Sequence, residues 1–270
     1  MEKSTYIGLA LGIIAVGFGM ILKGASLSAL INPAAFLIIF VGTAASLFNA
    51  FPMDEIKKVP TLFKIIFQEQ PLPSKRELIN QFMNWASIAR REGLLALENT
   101  SDEIEDPFLR NGMKMIIDGG EPEFVRDVLN EEIHAIAERH RVGANIFQQA
   151  GTYAPTLGVL GAVVGLVAAL GNLSDIEKLG HSIAAAFIAT LFGIFSGYVL
   201  WNPFANKLKR KSQKEIEIKN LMVEGLLSIQ AGVSPAAIEQ KLLVYLPYHE
   251  RQAQTEEKAE NKEEAVAANG

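Results

Sequence analysis

At 270 residues, with 49% hydrophobic side chains and a mean hydropathy of +0.20, the chain has the composition of a membrane protein. It contains no cysteine, which excludes a disulfide framework, a thiolate metal site and a cysteine nucleophile. The formal charge of −5 is modest and its acidic excess is spread along the chain, so no nucleic-acid partner is implied.

A helix needs roughly 20 mostly apolar residues to cross the hydrocarbon core. The first such run covers residues 5–22, between Lys3 and Lys23. It lacks the basic lead-in of a signal peptide, because Glu2 and Lys3 cancel, and Gly24-Ala25-Ser26 is only a weak cleavage site. A second run at 34–51 follows at once, so the two read as a hairpin over residues 1–52. Asn32-Pro33 supplies an N-cap and a first-turn proline for that second span, and Pro52 closes it.

Residues 53–150 read as a helical domain broken at Pro71-Leu72-Pro73, at Asp106-Pro107 and at Asp118-Gly119-Gly120-Glu121-Pro122. No sustained alternation argues for a sheet. Val59, Leu62, Phe63, Ile66 and Phe67 make an amphipathic stretch that either packs on the bundle or at the interface, the preferred reading, or binds a peptide. From residue 123 to 149 a charged helix, weakened only by Gly143, runs directly into a third span at 151–170. The fourth span, 182–201, completes a second hairpin over 151–202 and ends at Asn202-Pro203 ahead of a basic cluster. Residues 203–247 extend it as a charged helix that stops at Ala231-Gly232, with a last short helix opened by Ser234-Pro235. The composition of 248–270 predicts a disordered tail. The fold class is thus an all-α integral membrane protein with four transmembrane helices and a helical cytoplasmic domain.

Orientation follows from lysine and arginine. Lys57, Lys58, Arg139, Arg141 and the cluster Lys207, Lys209, Arg210, Lys211 and Lys214 flank the spans on one side, against only Lys23 and Lys178 in the short loops. Both termini and the central domain are therefore expected in the cytoplasm.

No acidic or basic side chain lies inside the spans, although such a residue, at a cost of roughly 2.5–3.5 kcal/mol, normally marks an ion path. Asp175, Glu177, Lys178 and His181 sit in the outer loop and read as solvated surface. If ions are conducted, a partner must supply the titrating group, or hydroxyls and carbonyls must replace it. Small-xxx-small pairs recur instead: Gly161 and Gly165 with Gly158 nearby, Gly193 and Gly197, and Gly8 and Gly12. They serve either internal packing or packing around a foreign helix. The Thr190 hydroxyl, mid-span, either bonds the carbonyl one turn back or lines a path. Pro155 removes a backbone hydrogen bond and frees the Gly151 carbonyl, while Pro203 terminates the fourth span.

Residues 149–166, beginning Gln149-Ala150-Gly151-Thr152-Tyr153-Ala154-Pro155-Thr156-Leu157-Gly158, resemble the third span of the flagellar stator A subunits, the MotA and PomA family, and most of all its Bacillus-type members. Ala189-Thr190-Leu191-Phe192-Gly193 resembles their fourth span and Asn202-Pro203-Phe204-Ala205-Asn206-Lys207-Leu208 its end. Arg90-Arg91-Glu92-Gly93-Leu94-Leu95-Ala96-Leu97-Glu98 belongs to the same pattern, which covers all but the tail. The resemblance implies a motility protein of the inner cell membrane, in contact with lipid, in which five A subunits surround two MotB-like B subunits. Each B subunit carries one span with an essential aspartate and an outer peptidoglycan-binding domain.

Carried over by position, Arg90 and Glu98 match the charged pair that engages the rotor protein FliG, with Arg91 an ambiguous neighbour. Pro155 and Pro203 match prolines tied to conformational coupling, and Thr190 matches the hydroxyl facing the B-subunit aspartate. Ala162 stands where sodium-driven relatives have a threonine, so the coupling ion is expected to be H+, with no cofactor. An ExbB- or TolQ-like energiser shares the two-span core but typically has three spans, which the hairpin at 5–51 disfavours. An uncoupled scaffold or channel is a second alternative. An enzyme is not supported, since no zinc helix, phosphate loop or nucleophile constellation is present.

Overall fold

A computed structural model describes residues 2–251, and among these the regular structure is entirely helical. The first span is α1 (Lys3–Leu22). The second is α2 (residues 33–50), where the Asn32 side chain accepts from the Ala35 amide at 3.1 Å and Pro33 takes the first position. That is the opening its sequence predicts, since proline has no N–H to leave unsatisfied there. Within α2, Leu37–Val41 winds as a π-turn.

The chain then forms α3 (Val59–Phe67), α4 (Lys75–Glu92), α5 (Glu98–Asp102) and α6 (Pro107–Ile117). Ser74 caps α4 by accepting from the Glu77 amide, and Gly93 ends it at φ 86, in the left-handed region that only glycine enters freely. Asp106 caps α6 in the same way, ahead of Pro107. The third span lies in α7 (Pro122–Leu170), one helix of 49 residues with Pro155 inside it. The fourth lies in α8 (Ile176–Gln230), 55 residues long, and α9 (Pro235–Leu242) follows. The four helices α1, α2, α7 and α8 contain stretches long and apolar enough to cross a membrane.

α8 runs on through Pro203 as one helix, into its charged part. A π-turn at Ser196–Trp201 lies just before the proline. Wider winding there rearranges the hydrogen bonds that a proline would otherwise break in a regular helix.

The chain divides into two compact units, Met1–Gln70 with Glu138–Ser212, and Pro71–Ala137 with the residues from 213 onward. The first holds the spans together with α3. Ile66 of α3 is fully buried among Ala144, Phe147, Phe204, Ala205 and Leu208, and the Phe63 ring meets Phe147 edge-on at 5.0 Å. The amphipathic stretch therefore packs on the bundle. The second unit has a water-soluble type of core, with Phe82, Trp85, Leu97, Met113, Leu129, Leu221, Met222 and Leu226 buried together. Glu224 ties three of its helices, meeting Arg126 at 2.9 Å and Lys241 at 2.6 Å. Residues 248–251, expected in the tail, form a turn in which Arg251 donates to the Leu246 carbonyl at 2.7 Å. The rest of the expected tail, from residue 252, lies outside the described residues.

Candidate functional site

The uncharged stretches of α7 and α8 meet along a seam of small residues. A Cβ placed on Gly193 would lie 2.7 Å from the Ala154 carbonyl oxygen and 2.8 Å from the Gly158 Cα. Real side chains do not tolerate such distances, so the two backbones touch because both positions are glycine. The seam continues through Gly161, whose Cβ would meet that of Ala189 at 2.9 Å, and Gly165, which faces Ala186 equally closely. The small faces of spans three and four thus pack on each other. In α1 the pair divides, since Gly12 lies under Val199 while Gly8 meets nothing within 4 Å.

At one end of the seam α8 leaves regular winding, while α7 stays α-helical but lacks one backbone hydrogen bond. Pro155 has no N–H to give the Gly151 carbonyl. Opposite it stands Gly197, where a Cβ would be 2.7 Å from the proline Cγ and 3.0 Å from that freed carbonyl oxygen. Gly197 belongs to the π-turn of α8, and buried Ser196 at its start donates to the carbonyls of Phe192 at 2.7 Å and Gly193 at 3.2 Å. The Asn202 side chain, just past the π-turn, lies against Gly151. Proline and π-turn therefore form one joint, held by the absence of side chains at Gly151 and Gly197.

Thr190 is half-buried and donates to the Ala186 carbonyl at 3.4 Å, one turn back in its own helix. Ala162 is likewise half-buried, and the two residues flank the contact between Gly161 and Ala189. Pro203 is exposed one residue beyond Asn202. Asp175 caps α8, with the Lys178 amide hydrogen bond and then the Lys178 ammonium holding its carboxyl below the usual range. That is the work of a helix cap.

Arg90 and Glu98 lie in the second unit, both exposed and outside any ion pair among the described residues. Arg90 is in the last turn of α4 and Glu98 opens α5, with Gly93 and the tight turn Leu94–Leu97 between them. Buried Leu97 pins that turn to the core, and Leu95 stands 72% exposed at its apex.

Most of the spans' surface is uncovered within one chain: only 22% of the most apolar window of α7, and 28% of that of α8, is buried. Val159, Leu160, Val163, Val164 and Val167 of α7 and Phe187, Ile194 and Tyr198 of α8 point outward. Sequence spacing identified the glycines and Pro155, but gave no sign of the π-turn or of Asn202 against Gly151, which depend on contact between distant residues.

The profile of the MotA/TolQ/ExbB proton channel family matches residues 100–220. Motility protein A of Bacillus subtilis is 56% identical over 251 residues, 93% of this chain and 93% of that protein. Among solved structures, the flagellar MotAB stator complex from Bacillus subtilis aligns with a TM-score of 0.89 at 56% identity, over 93% of this chain and 99% of that one. The MotAB structure of C. jejuni aligns with a TM-score of 0.87 at 31% identity, over 92% and 97%.

Proposed function

Since the chain belongs to the motility protein A group of the MotA/TolQ/ExbB proton channel family, we propose that it is the ring-forming A subunit of a flagellar stator. With a B subunit it makes a proton path and converts proton flow into torque on the rotor. One observation carries this reading: the glycine-seamed pair α7 and α8 has no acidic or basic side chain at 151–170 or 182–201, yet leaves most of its apolar surface uncovered. A proton relay needs a titrating group, and here a partner's span supplies it.

In this reading five copies of the chain surround two MotB-like subunits, and the Thr190 hydroxyl faces the B-subunit carboxylate. Each proton crossing 100 mV makes about 2.3 kcal/mol available. Protonation removes the charge of that carboxylate and its demand for hydrogen-bond donors, so the preferred arrangement of the surrounding wall changes. The joint at Pro155 and Gly197 is where spans three and four bend in response, and Pro203 continues the movement into the charged part of α8. The second unit, in the cytoplasm with both termini, pushes on FliG through Arg90 and Glu98. Ala162 leaves one oxygen fewer to replace the water around a sodium ion, which favours protons. The protein sits in the inner membrane among lipids, and its role requires no enzymatic chemistry and no cofactor.

The test is complementation: the chain, expressed with its B subunit in cells lacking a stator, restores swimming. A Thr190→Val variant reaches the membrane but swims at least about tenfold more slowly, the expected loss of one hydrogen bond to a charged group. Normal swimming would remove Thr190 from the path. Swimming stops with a protonophore and is indifferent to sodium, and a speed that tracks sodium overturns the proton assignment.

A further inference from the structure

The last turn of an α-helix leaves its carbonyls without intrahelical donors. At the end of α3 a side chain distant in sequence takes them: Lys211 Nζ donates to the carbonyls of Ile65 at 2.7 Å and Gln68 at 2.5 Å. The same ammonium pairs with Glu2 at 3.1 Å. One turn earlier on α8, Lys207 donates to the hydroxyls of Ser4 at 2.7 Å and Thr5 at 2.6 Å, and lies 3.4 Å from the other oxygen of Glu2. An ammonium has three protons, and both lysines have three acceptors. The Glu2 amide donates to the Phe67 carbonyl at 3.1 Å, the Thr5 hydroxyl donates to that of Ile66 at 3.3 Å, and the Tyr6 ring stands 5.4 Å from that of Phe67. The start of α1, the end of α3 and the 207–211 turn of α8 are thus each bonded to the other two.

This knot is unlike the rest of the basic cluster. The side chains of Lys207 and Lys211 are only 20% and 11% exposed, whereas Lys209, Arg210 and Lys214 are open to solvent. Lysine is rarely enclosed to that degree unless paired. The hydrogen bond from Lys211, acting against burial, keeps the Glu2 carboxyl below its usual range and therefore charged. Only 6% of the most apolar window of α1 is buried, so within one chain apolar packing holds that span over little of its length.

We propose that Lys207 and Lys211, with Glu2 as shared counterion, are positioning residues that lock span one and α3 to the base of the fourth-span helix. The three then move as one body whenever that helix moves. The proposal rests on the ion-driven role above.

The test uses the complex with its B subunit, in cells and purified. Swimming at equal membrane level is compared with amide hydrogen exchange across residues 59–68. Lys211→Met loses about tenfold or more in swimming and gains a similar factor in exchange, as expected when enclosed acceptors lose a charged donor. Lys211→Arg, which keeps charge and donors, stays closer to the parent in both readouts. Lys214→Met changes neither. Equal loss in Lys214→Met would show that total charge matters and overturn the knot, as would faster exchange with undiminished swimming. Should Lys211→Met fail to insert, Glu2→Gln carries the test, and unchanged exchange there sinks the proposal. Exchange is read without motility, so a parent chain that fails to support swimming overturns the stator role and leaves the knot to be judged separately.

Discussion

In the unit that holds the spans, glycines let two backbones meet, as Gly193 does against Ala154 and Gly158, whereas in the second unit Gly112 and Gly225 make room for bulky side chains. Glycine occurs at both with opposite purpose. Gly225 makes room for the Phe82 ring, 2.6 Å from where its Cβ would be, while Gly193 makes room for another main chain at 2.7 Å. Solvent explains the contrast. Burying Phe82, Leu129 or Met222 removes apolar area from water, at about 25 cal/mol per Å². Lipid tails are as apolar as leucine, so helices in a bilayer gain little from bulk and much from close approach.

The sharpest way to break this contrast is to put a side chain into the seam. Gly193→Val has no flexible neighbour to displace, only backbone, so α7 and α8 must separate; swimming and recovery of the complex are expected to be abolished. Gly8→Val meets open space and leaves both unchanged. In the second unit the damaging change is the reverse, loss of bulk: Phe82→Ala should cost roughly 3–5 kcal/mol, seen as a lower unfolding midpoint by circular dichroism.

A smaller effect in the second unit depends on pH. Burial raises the pKa of Glu224, but hydrogen bonds from Lys241 and Arg126 outweigh it and hold the carboxyl below its ordinary value. A carboxylate lowered in the folded state contributes stability above its unfolded pKa, and that contribution fades as pH falls through the folded value. Glu224→Gln should therefore be clearly less stable than the parent at about pH 7, with the difference closing towards about pH 3. The smallest effect on folding is expected at the exposed Arg90. Arg90→Glu should leave the unfolding midpoint within about 0.5 kcal/mol while torque falls, a pairing that marks a contact surface.

The spans were legible because hydropathy, Asn32-Pro33 and the charge-free interval before Asp175 are local signals. The continuity of α7 was legible too, since between residues 123 and 151 only Gly143 interrupts good helical sequence. Other features depend on distant partners. Nothing in Ser196–Trp201 distinguishes a π-turn from an α-turn, and the turn becomes intelligible only with Pro155 opposite and Pro203 following. Lys207 and Lys211 counted as two members of a basic run until their acceptors on α1 and α3 were in place. The amphipathic face of α3 was visible, but which surface it covers depends on Phe147 and Phe204, far along the chain.

The π-turn in α8 also acts as a phase shift along a shaft. Its wider coil takes up about one extra residue, setting every later side chain back by about 100°, one residue's share of a 3.6-residue turn. Ahead of it, Ala189 and Gly193 are indexed to α7; behind it, Phe204 still meets α7 while Lys207 and Lys211 reach α1 and α3. One continuous helix thereby adds α1 and α3 to the neighbour it keeps throughout. Deleting one residue at 196–201 would leave the helix whole and put its two faces out of step.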